Sequence, residues 1–362
     1  MRIAWLAPAA DPADDTAALV AELRARHEVT RFDALTAHDF VWQHARQPFD
    51  VCVYDLGDSR ASAFVWPYLL HYPGIVRLRA SSLRASRGGA MLEARRQGEY
   101  EAELRFSRAR MLRVPLLAAR LVVVADAAFA QALQQEYPEA RVRSAPPAVP
   151  APGPLDPLPA APVIVGTCDG IATTSCAQRA ARRAHDAGAR FELRDYGSVI
   201  DAVREAHVLL AMEWPPATEP TEAALVGMAA GRAVVVYEVE RTAGWPALDP
   251  QTWEPRGLVT GGPAIVISID PRDADHSLML AMRRLAADAS LRADLGRAAR
   301  SWWQAHAAPA PAAAAWEALL AEGAALAPPP RPADWPAHLL ADGTARAREI
   351  LDPFGVSVDV LR

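Results

Sequence analysis

The chain has 362 residues, long enough for two domains with full cores, and its 51% hydrophobic and 22% charged residues are an ordinary globular balance. A formal net charge of −5 carries no signature of a nucleic-acid binder. All 38 basic residues are arginine, so any phosphate contact must come from guanidinium forks, backbone N–H groups or helix dipoles.

Short apolar runs alternate with helical patterns along most of the chain. The opening run, RIAWLAP (2–8), reads as a strand, and it is too short and too soon followed by acids for a secretory signal. Asp15 and Thr16 then mark an N-cap, with Leu19, Val20 and Leu23 at helical spacing behind it. Further strands are expected at 27–32, 50–57, 74–80, 121–126 and, more weakly, 140–145. Their apolar runs are continuous rather than alternating, which suits parallel strands buried on both faces, so the first half reads as a doubly wound α/β domain.

A proline-dense stretch at 145–162 can continue neither a helix nor a central strand and reads as a semi-rigid linker. Beyond it the alternation restarts at 163–168, 191–197, 207–213, 233–239 and 264–270, followed by a helical pattern clearest over 280–306. A second proline break at 327–332 precedes a tail in which 343–351 is helical in pattern. The expected division is 1–150, 151–327 and a helical tail 328–362, with a ligand cleft between the two α/β halves.

Cys52, Cys168 and Cys176 are odd in number and include no Cys-x-x-Cys pair, which argues for a reducing compartment and against a disulfide or zinc framework. No window reaches about 18 uncharged apolar residues, so no membrane span is expected. The expected location is cytoplasmic, with peripheral contact at the inner face of a membrane as an open alternative. The nine histidines form no metal spacing. From Arg77 to Arg120 there are 11 arginines against four acids, an excess of seven positive charges. This is either a basic face for anionic lipid or a diphosphate-linked acceptor, or a solvated face paired with acids from elsewhere. Asp11, Asp14 and Asp15 read as an N-cap and a solvated acidic turn, acceptor-hydroxyl binding being the alternative. Trp66, Tyr68 and Tyr72 read as core.

The most informative stretch is HVLLAMEWPPATEPTEAALVGMAAGRAVVVYEV (207–239): a buried strand, a proline-rich loop carrying Glu219, a small-residue helix and a second buried strand. A strand ending in a loop that opens onto a helix N-terminus is where open α/β sheets bind anionic ligands. This segment resembles the donor-sugar motif of family-4 glycosyltransferases of the GT-B fold. Four further stretches resemble the same family in order: MRIAWLAP (1–8), FVWPYLLHYPGIVRL (64–78), RLVVVADAAFAQALQQEYPEARVRSAPPAVP (120–150) and LRADLGRAARSWWQAHAAPAPAAAAWEALL (291–320).

The resemblance implies two Rossmann-like domains facing a central cleft. It also implies a nucleotide sugar held mainly by the second domain, a glycan or lipid-linked acceptor on the first, retention at the anomeric carbon, no metal and no cofactor beyond the donor. Glu219 stands where the family's sugar-binding Glu lies, and Pro220 and Thr221 open the helix, Thr221 toward a phosphate. The ribose-binding Glu corresponds to Val226, and Glu222, one turn earlier, reaches toward the same hydroxyls. Gly166 and Thr167 open a stretch, GTCDGIATTSC (166–176), that reads as a backbone anion nest. Behind it Arg179, with Arg182 and Arg183, either replaces the family's diphosphate cations or forms an ordinary helix surface. On the acceptor side the family's His-Asp becomes Arg79-Ala80, and Arg79 and Arg84 are expected to face the acceptor. Near the fifth strand the family's His-Ser becomes Ala125-Asp126, its Pro-His-Gly before the linker becomes Pro146-Pro147-Ala148, and the first loop lacks glycine. Those departures leave a second reading open, a catalytically degenerate GT-B protein acting as a binding or scaffold partner.

Overall fold

The computed structural model describes residues 1–9, 15–86, 110–168, 171–213, 222–239, 241–256, 262–333, 335 and 349–355. In the first half, β1 (Arg2–Leu6), β2 (Glu28–Phe32), β3 (Val51–Leu56), β4 (Ile75–Leu78), β5 (Leu121–Val124) and β6 (Val142–Ser144) form a six-stranded sheet. Its order is β2-β1-β3-β4-β5-β6 and every pairing is parallel. Among the described residues the helices are α1 (Asp15–Leu23), α2 (Ala37–Arg46), α3 (Val65–His71), α4 (Arg113–Ala118) and α5 (Ala127–Glu136).

In the second half, β7 (Ile164–Thr167), β8 (Glu192–Asp195), β9 (Val208–Ala211), β10 (Ala233–Tyr237) and β13 (Val266–Ile269) pair in parallel. Two short strands, β11 (Ala247–Leu248) and β12 (Pro255–Arg256), extend one edge to give the order β12-β11-β13-β10-β9-β7-β8, with β11 and β12 antiparallel to each other. Two-residue strands are too short to leave a periodic signal, and none is expected there from the sequence. The helices are α6 (Ile171–Asp186), α7 (Val199–Glu205), α8 (Glu222–Ala229), α9 (Ala274–Ala287), α10 (Ala289–His306) and α11 (Pro309–Ala325). The architecture is thus α/β throughout, two Rossmann-like sheets whose five main parallel strands follow the same order, β2-β1-β3-β4-β5 in the first and β8-β7-β9-β10-β13 in the second.

Burial on both faces explains the continuous apolar strands. In β1, Ala4 and Leu6 face the layer of α2 to α5, while Ile3 and Trp5 face α1, where Leu19, Val20 and Leu23 are all buried. The helical pattern clearest over 280–306 is formed by two helices, α9 and α10. Asp288 ends α9 and caps α10, its Oδ1 accepting the Leu291 N–H at 2.9 Å, so the apolar periodicity runs on through a break made by one side chain.

Helix α11, which the division at 327 groups with the second half, packs on the first sheet. Trp316, 1% exposed, meets Trp5 with ring centroids 5.3 Å apart, and Leu320 is fully buried in the same cluster. Burying one such side chain contributes roughly 1.5–3 kcal/mol. At Gly323 an added Cβ would lie 2.5 Å from Ile75 Cγ1, so only glycine allows this approach to β4. Arg26–Glu317 and Arg143–Glu322 ion pairs flank the contact. Helix α11 thereby straps the two halves together. Among the described residues no helix is long and apolar enough to cross a membrane.

Candidate functional site

The carboxyl ends of both sheets border one cavity of about 410 Å3. Open α/β sheets bind ligands in the crevice outside these strand ends, and small-molecule sites are commonly cavities of roughly 300–1,000 Å3. From the first half come Asp126, two residues beyond β5, and Ser144, Pro146 and Pro147 at the end of β6. Asp126 caps α5, its Oδ1 accepting the Phe129 N–H at 2.7 Å. From the second half come Leu225 on α8, Arg241 and Trp245 beyond β10, Trp302 and His306 at the end of α10, and Pro311 on α11.

The turn after β10 decides where Arg241 points. The Thr242 hydroxyl donates to the Tyr237 carbonyl at 2.6 Å and accepts the Val239 N–H at 3.0 Å, which folds the loop back on the strand. The Arg241 side chain is only 7% exposed, with Nη2 3.7 Å from Glu213 Oε2 just beyond β9. One helical turn apart on α10, Trp302 and His306 stack at 4.8 Å and 18°, and Trp245 tilts against Trp302 at 5.4 Å. The result is an aromatic wall with a carboxylate and a nearly buried arginine, paired to a part-exposed glutamate, at its margins.

None of the described residues singled out from the sequence for donor or acceptor binding lines this cavity. Glu219, Pro220 and Thr221 lie outside the described residues. Glu222 is exposed in the first turn of α8, whereas Val226, the position of the family's second Glu, is 4% exposed and packs into the core below the helix. Gly166 serves packing: an added Cβ would lie 2.9 Å from Ala206 Cβ and 3.1 Å from Tyr196 Cε2. Thr167 ends β7, whose crossover leaves toward β8 while that of the neighbouring β9 leaves the other way toward β10, so the switch point of the second sheet lies between β7 and β9. Its side chain is fully buried, and its hydroxyl has no hydrogen-bond partner among the described residues.

Arg179 lies about 12 Å along α6 from the helix start, by the 1.5 Å rise per residue, and not at the β7–α6 turn. It forms an exposed bidentate pair with Asp275, Nε–Oδ2 at 2.8 Å and Nη2–Oδ1 at 2.9 Å. This is the helix-surface alternative, at the rim of a separate 430 Å3 hollow that also takes in Arg183, Arg272 and His276. At its base, burial followed by the hydrogen bond to Asp275 pushes the Cys176 thiol up to about 11, so it is held as a thiol.

Arg79 and Arg84 are likewise apart from the cavity. The reason for Arg79 is a buried network that the sequence does not announce. Asp55 and Arg77 are partners in register on β3 and β4, on the face that α1 covers, and are 1% and 5% exposed. Arg77 Nη1 donates to Asp55 Oδ2 at 3.2 Å and to the fully buried Thr16 hydroxyl at 2.9 Å. Thr16 donates onward to Asp55 Oδ2 at 2.7 Å, while Arg77 Nη2 pairs with Asp15. Arg79 Nη2 meets the other Asp15 oxygen at 3.0 Å. Asp15 is therefore not part of a solvated acidic turn: two arginines draw it under α1. Asp11 and Asp14 lie outside the described residues. Arg84 is exposed.

The same pairing reduces the basic face. Of the arginines between 77 and 120 that are described, Arg77, Arg79 and Arg110 pair with Asp15, Asp55 or Glu136. The segment 87–109 carries five arginines and four glutamates, five minus four being one net charge, whereas lipid-docking clusters hold about 4–8 basic residues. Trp66 is core at 3% exposure, and Tyr68 and Tyr72 pack around Phe40, as expected of core aromatics. All three cysteines are free thiols. Among the described residues no group of three or more His, Cys, Asp or Glu side chains could hold a metal ion.

The residues missed from the sequence are Arg241, Trp245, Trp302 and His306. Asp126 and the pair Pro146-Pro147 were visible as positions where family motifs would stand, but the aromatic wall carried no signal beyond its place in a resembling helix.

Neither a family model nor a curated protein matches the chain. Among solved structures it is similar to WaaG, a glycosyltransferase involved in lipopolysaccharide biosynthesis, at 13% identity over 86% of this chain and 98% of that one, TM-score 0.49. It is similar to the glycosyltransferase of kitacinnamycin at 14% identity over 88% and 99% of the two chains, TM-score 0.46. The calicheamicin glycosyltransferase matches at 15% identity over 88% and 98%, TM-score 0.42. Likenesses of this size carry no assignment of activity. These three solved structures are glycosyltransferases, and the architecture of two Rossmann-like sheets stands on this chain's own strand order.

Proposed function

We propose that the protein transfers a sugar from a nucleotide-sugar donor to a glycan or lipid-linked acceptor, with retention at the anomeric carbon and without a metal. The observation that carries this reading is the cavity between the halves, flanked by carboxyl ends of two sheets whose five main parallel strands share one order. The five resembling sequence stretches support it, since they follow one another along the whole length in the family's order.

In this reading Glu219 bonds hydroxyls of the transferred sugar, and Thr221 meets a phosphate at the start of α8. Glu222 reaches the ribose, and the end of β7 at Thr167 lies against the nucleotide. Backbone N–H groups and guanidinium donors stabilise the leaving diphosphate, where negative charge develops. Arg179 is left out of this role because Asp275 engages it.

Calorimetry with UDP, GDP and ADP tests the reading. One nucleotide should bind, and Glu219→Ala should abolish turnover of its sugar-linked form. Binding of none of the three would remove the enzyme reading and leave the degenerate scaffold; unchanged turnover by the variant would remove Glu219 from the mechanism.

A further inference from the structure

The hollow of about 430 Å3 beside Arg179 lies apart from the cavity between the halves. Helices α6 and α9 cover its face of the second sheet, whereas α8, which lends Leu225 to the cavity between the halves, covers the other. The floor is Tyr237 at the end of β10 and Cys176 on α6, both buried. The walls are Arg179 and Arg183 on α6 and residues 271–276 at the start of α9.

The carboxylates in this lining are already engaged. Asp275 accepts Arg179 Nε at 2.8 Å, Arg179 Nη2 at 2.9 Å and the Cys176 thiol at 3.3 Å. The Arg179 hydrogen bonds hold the Asp275 carboxyl below its usual range. Asp273 accepts Gln251 Nε2 at 2.9 Å and the Ser277 hydroxyl at 3.2 Å, and its charge at the start of α9 suits the helix dipole. The cations are less fully used. Arg272 gives Nε and Nη2 to Asp270, at 3.0 and 2.7 Å, with its side chain 89% exposed. Arg183 and His276 are exposed, and among the described residues no hydrogen bond or ion pair engages either. Three arginines thus face two carboxylates, three minus two leaving one positive charge, and the donors left over belong to Arg183, Arg272 and His276. Such a lining suits a ligand rich in acceptor oxygens, and guanidinium forks match the oxygens of a phosphate. The volume is in the range of small-molecule sites.

We infer that this hollow binds a phosphate group, free or carried by a small molecule, through Arg183, Arg272 and His276. The site does not depend on the transferase reading and is not the place of a donor diphosphate. Arg183 lies about 18 Å along α6 from the helix start, by the 1.5 Å rise per residue, and the sheet stands between the hollow and α8.

The test uses the full chain with Arg183→Gln, His276→Gln and the double variant. Both side chains are exposed, so the variants should melt within about 2 °C of the parent. Calorimetry at fixed ionic strength measures inorganic phosphate, glucose 6-phosphate and glucose. The parent should bind at least one of the phosphates with a Kd below about 1 mM. Each single variant should weaken that binding about ten-fold, the loss expected when one charge-assisted hydrogen bond goes. Equal affinity for the two phosphates identifies the free anion as sufficient, and tighter binding of glucose 6-phosphate identifies a phosphorylated small molecule. Trp302→Leu, on the wall of the other cavity, should leave phosphate binding within about two-fold. Failure of both phosphates to bind the parent, variants that bind as the parent does, or glucose bound as tightly as its phosphate would each overturn the inference. So would a loss found in Trp302→Leu and absent from the α6 and α9 variants, which would move the anion to the cavity between the halves.

Discussion

The buried ion network under α1 gives a prediction whose size follows from the structure. Arg77 is the hub of the network: its side chain is 6% exposed and it touches Asp15 at 10%, Asp55 at 1% and Thr16 at 0%. Arg77→Met keeps the bulk of the side chain but leaves Asp55 with only the Thr16 hydroxyl against its negative charge. Removing one partner of a buried pair costs about 3–5 kcal/mol, chiefly because the remaining charge is desolvated and uncompensated. At roughly 2–4 °C per kcal/mol for a unit of 150–250 residues, the first-half transition should fall by about 10 °C. Replacing both partners, Arg77→Met with Asp55→Leu, removes the stranded charge and should recover most of that loss, since apolar replacement of buried pairs is commonly neutral or stabilising. Differential scanning calorimetry at pH 7 on the parent and both variants reads this out. A single variant that melts within about 2 °C of the parent, or a double variant less stable than the single one, would refute the claim that a desolvated carboxylate pair dominates there.

Two further predictions follow from packing and protonation. At His207, Nδ1 accepts the Ile164 N–H at 3.1 Å, so the proton sits on Nε2, which donates to the Pro159 carbonyl at 2.8 Å. Burial, then the arginines Arg292 and Arg232, lower its pKa below the usual 6.5 despite the Pro159 bond. Its stabilising effect is therefore present above about pH 6.5 and lost as pH falls through the depressed folded value. His207→Gln should flatten the decline in melting temperature between pH 7 and pH 5, and an unchanged slope would discount the group. Gly166→Ala should cost about 1–3 kcal/mol through contact with Ala206 and Tyr196, by overpacking. Nucleotide affinity should be preserved in that variant; a selective loss of binding with normal stability would return Gly166 to the donor site.

Much of the fold was legible in the sequence because its signal is local. Runs such as DVCVYDLG and LVVVAD mark strands buried on both faces, and Leu19, Val20 and Leu23 mark the one helical face that α1 buries. The small-residue helix in 207–239 was readable for the same reason: seven of its eight residues are buried, leaving Glu222 outside. One side chain, Asp288, was enough to divide α9 from α10 without disturbing the periodicity across them.

The candidate site was legible only in outline. Asp55 and Arg77 look like stray charges in apolar runs until strand order sets β3 beside β4 in a register that makes them partners. Arg179 looks available for a phosphate until α9 brings Asp275 against it. Asp126, Arg241, Trp245 and Trp302 are separated by up to 176 positions, 302 minus 126, and meet at one cavity only because both sheets direct their carboxyl ends toward it. By itself the sequence determined which faces are apolar, how the strands and helices alternate, and hence a doubly wound α/β chain with two halves. The tertiary structure decided which charges neutralise one another, that α11 returns to cover the first sheet, and which side chains wall the cavity. Periodicity records burial within a few neighbouring residues, whereas register, helix docking and charge pairing are set by contacts between segments far apart in the chain.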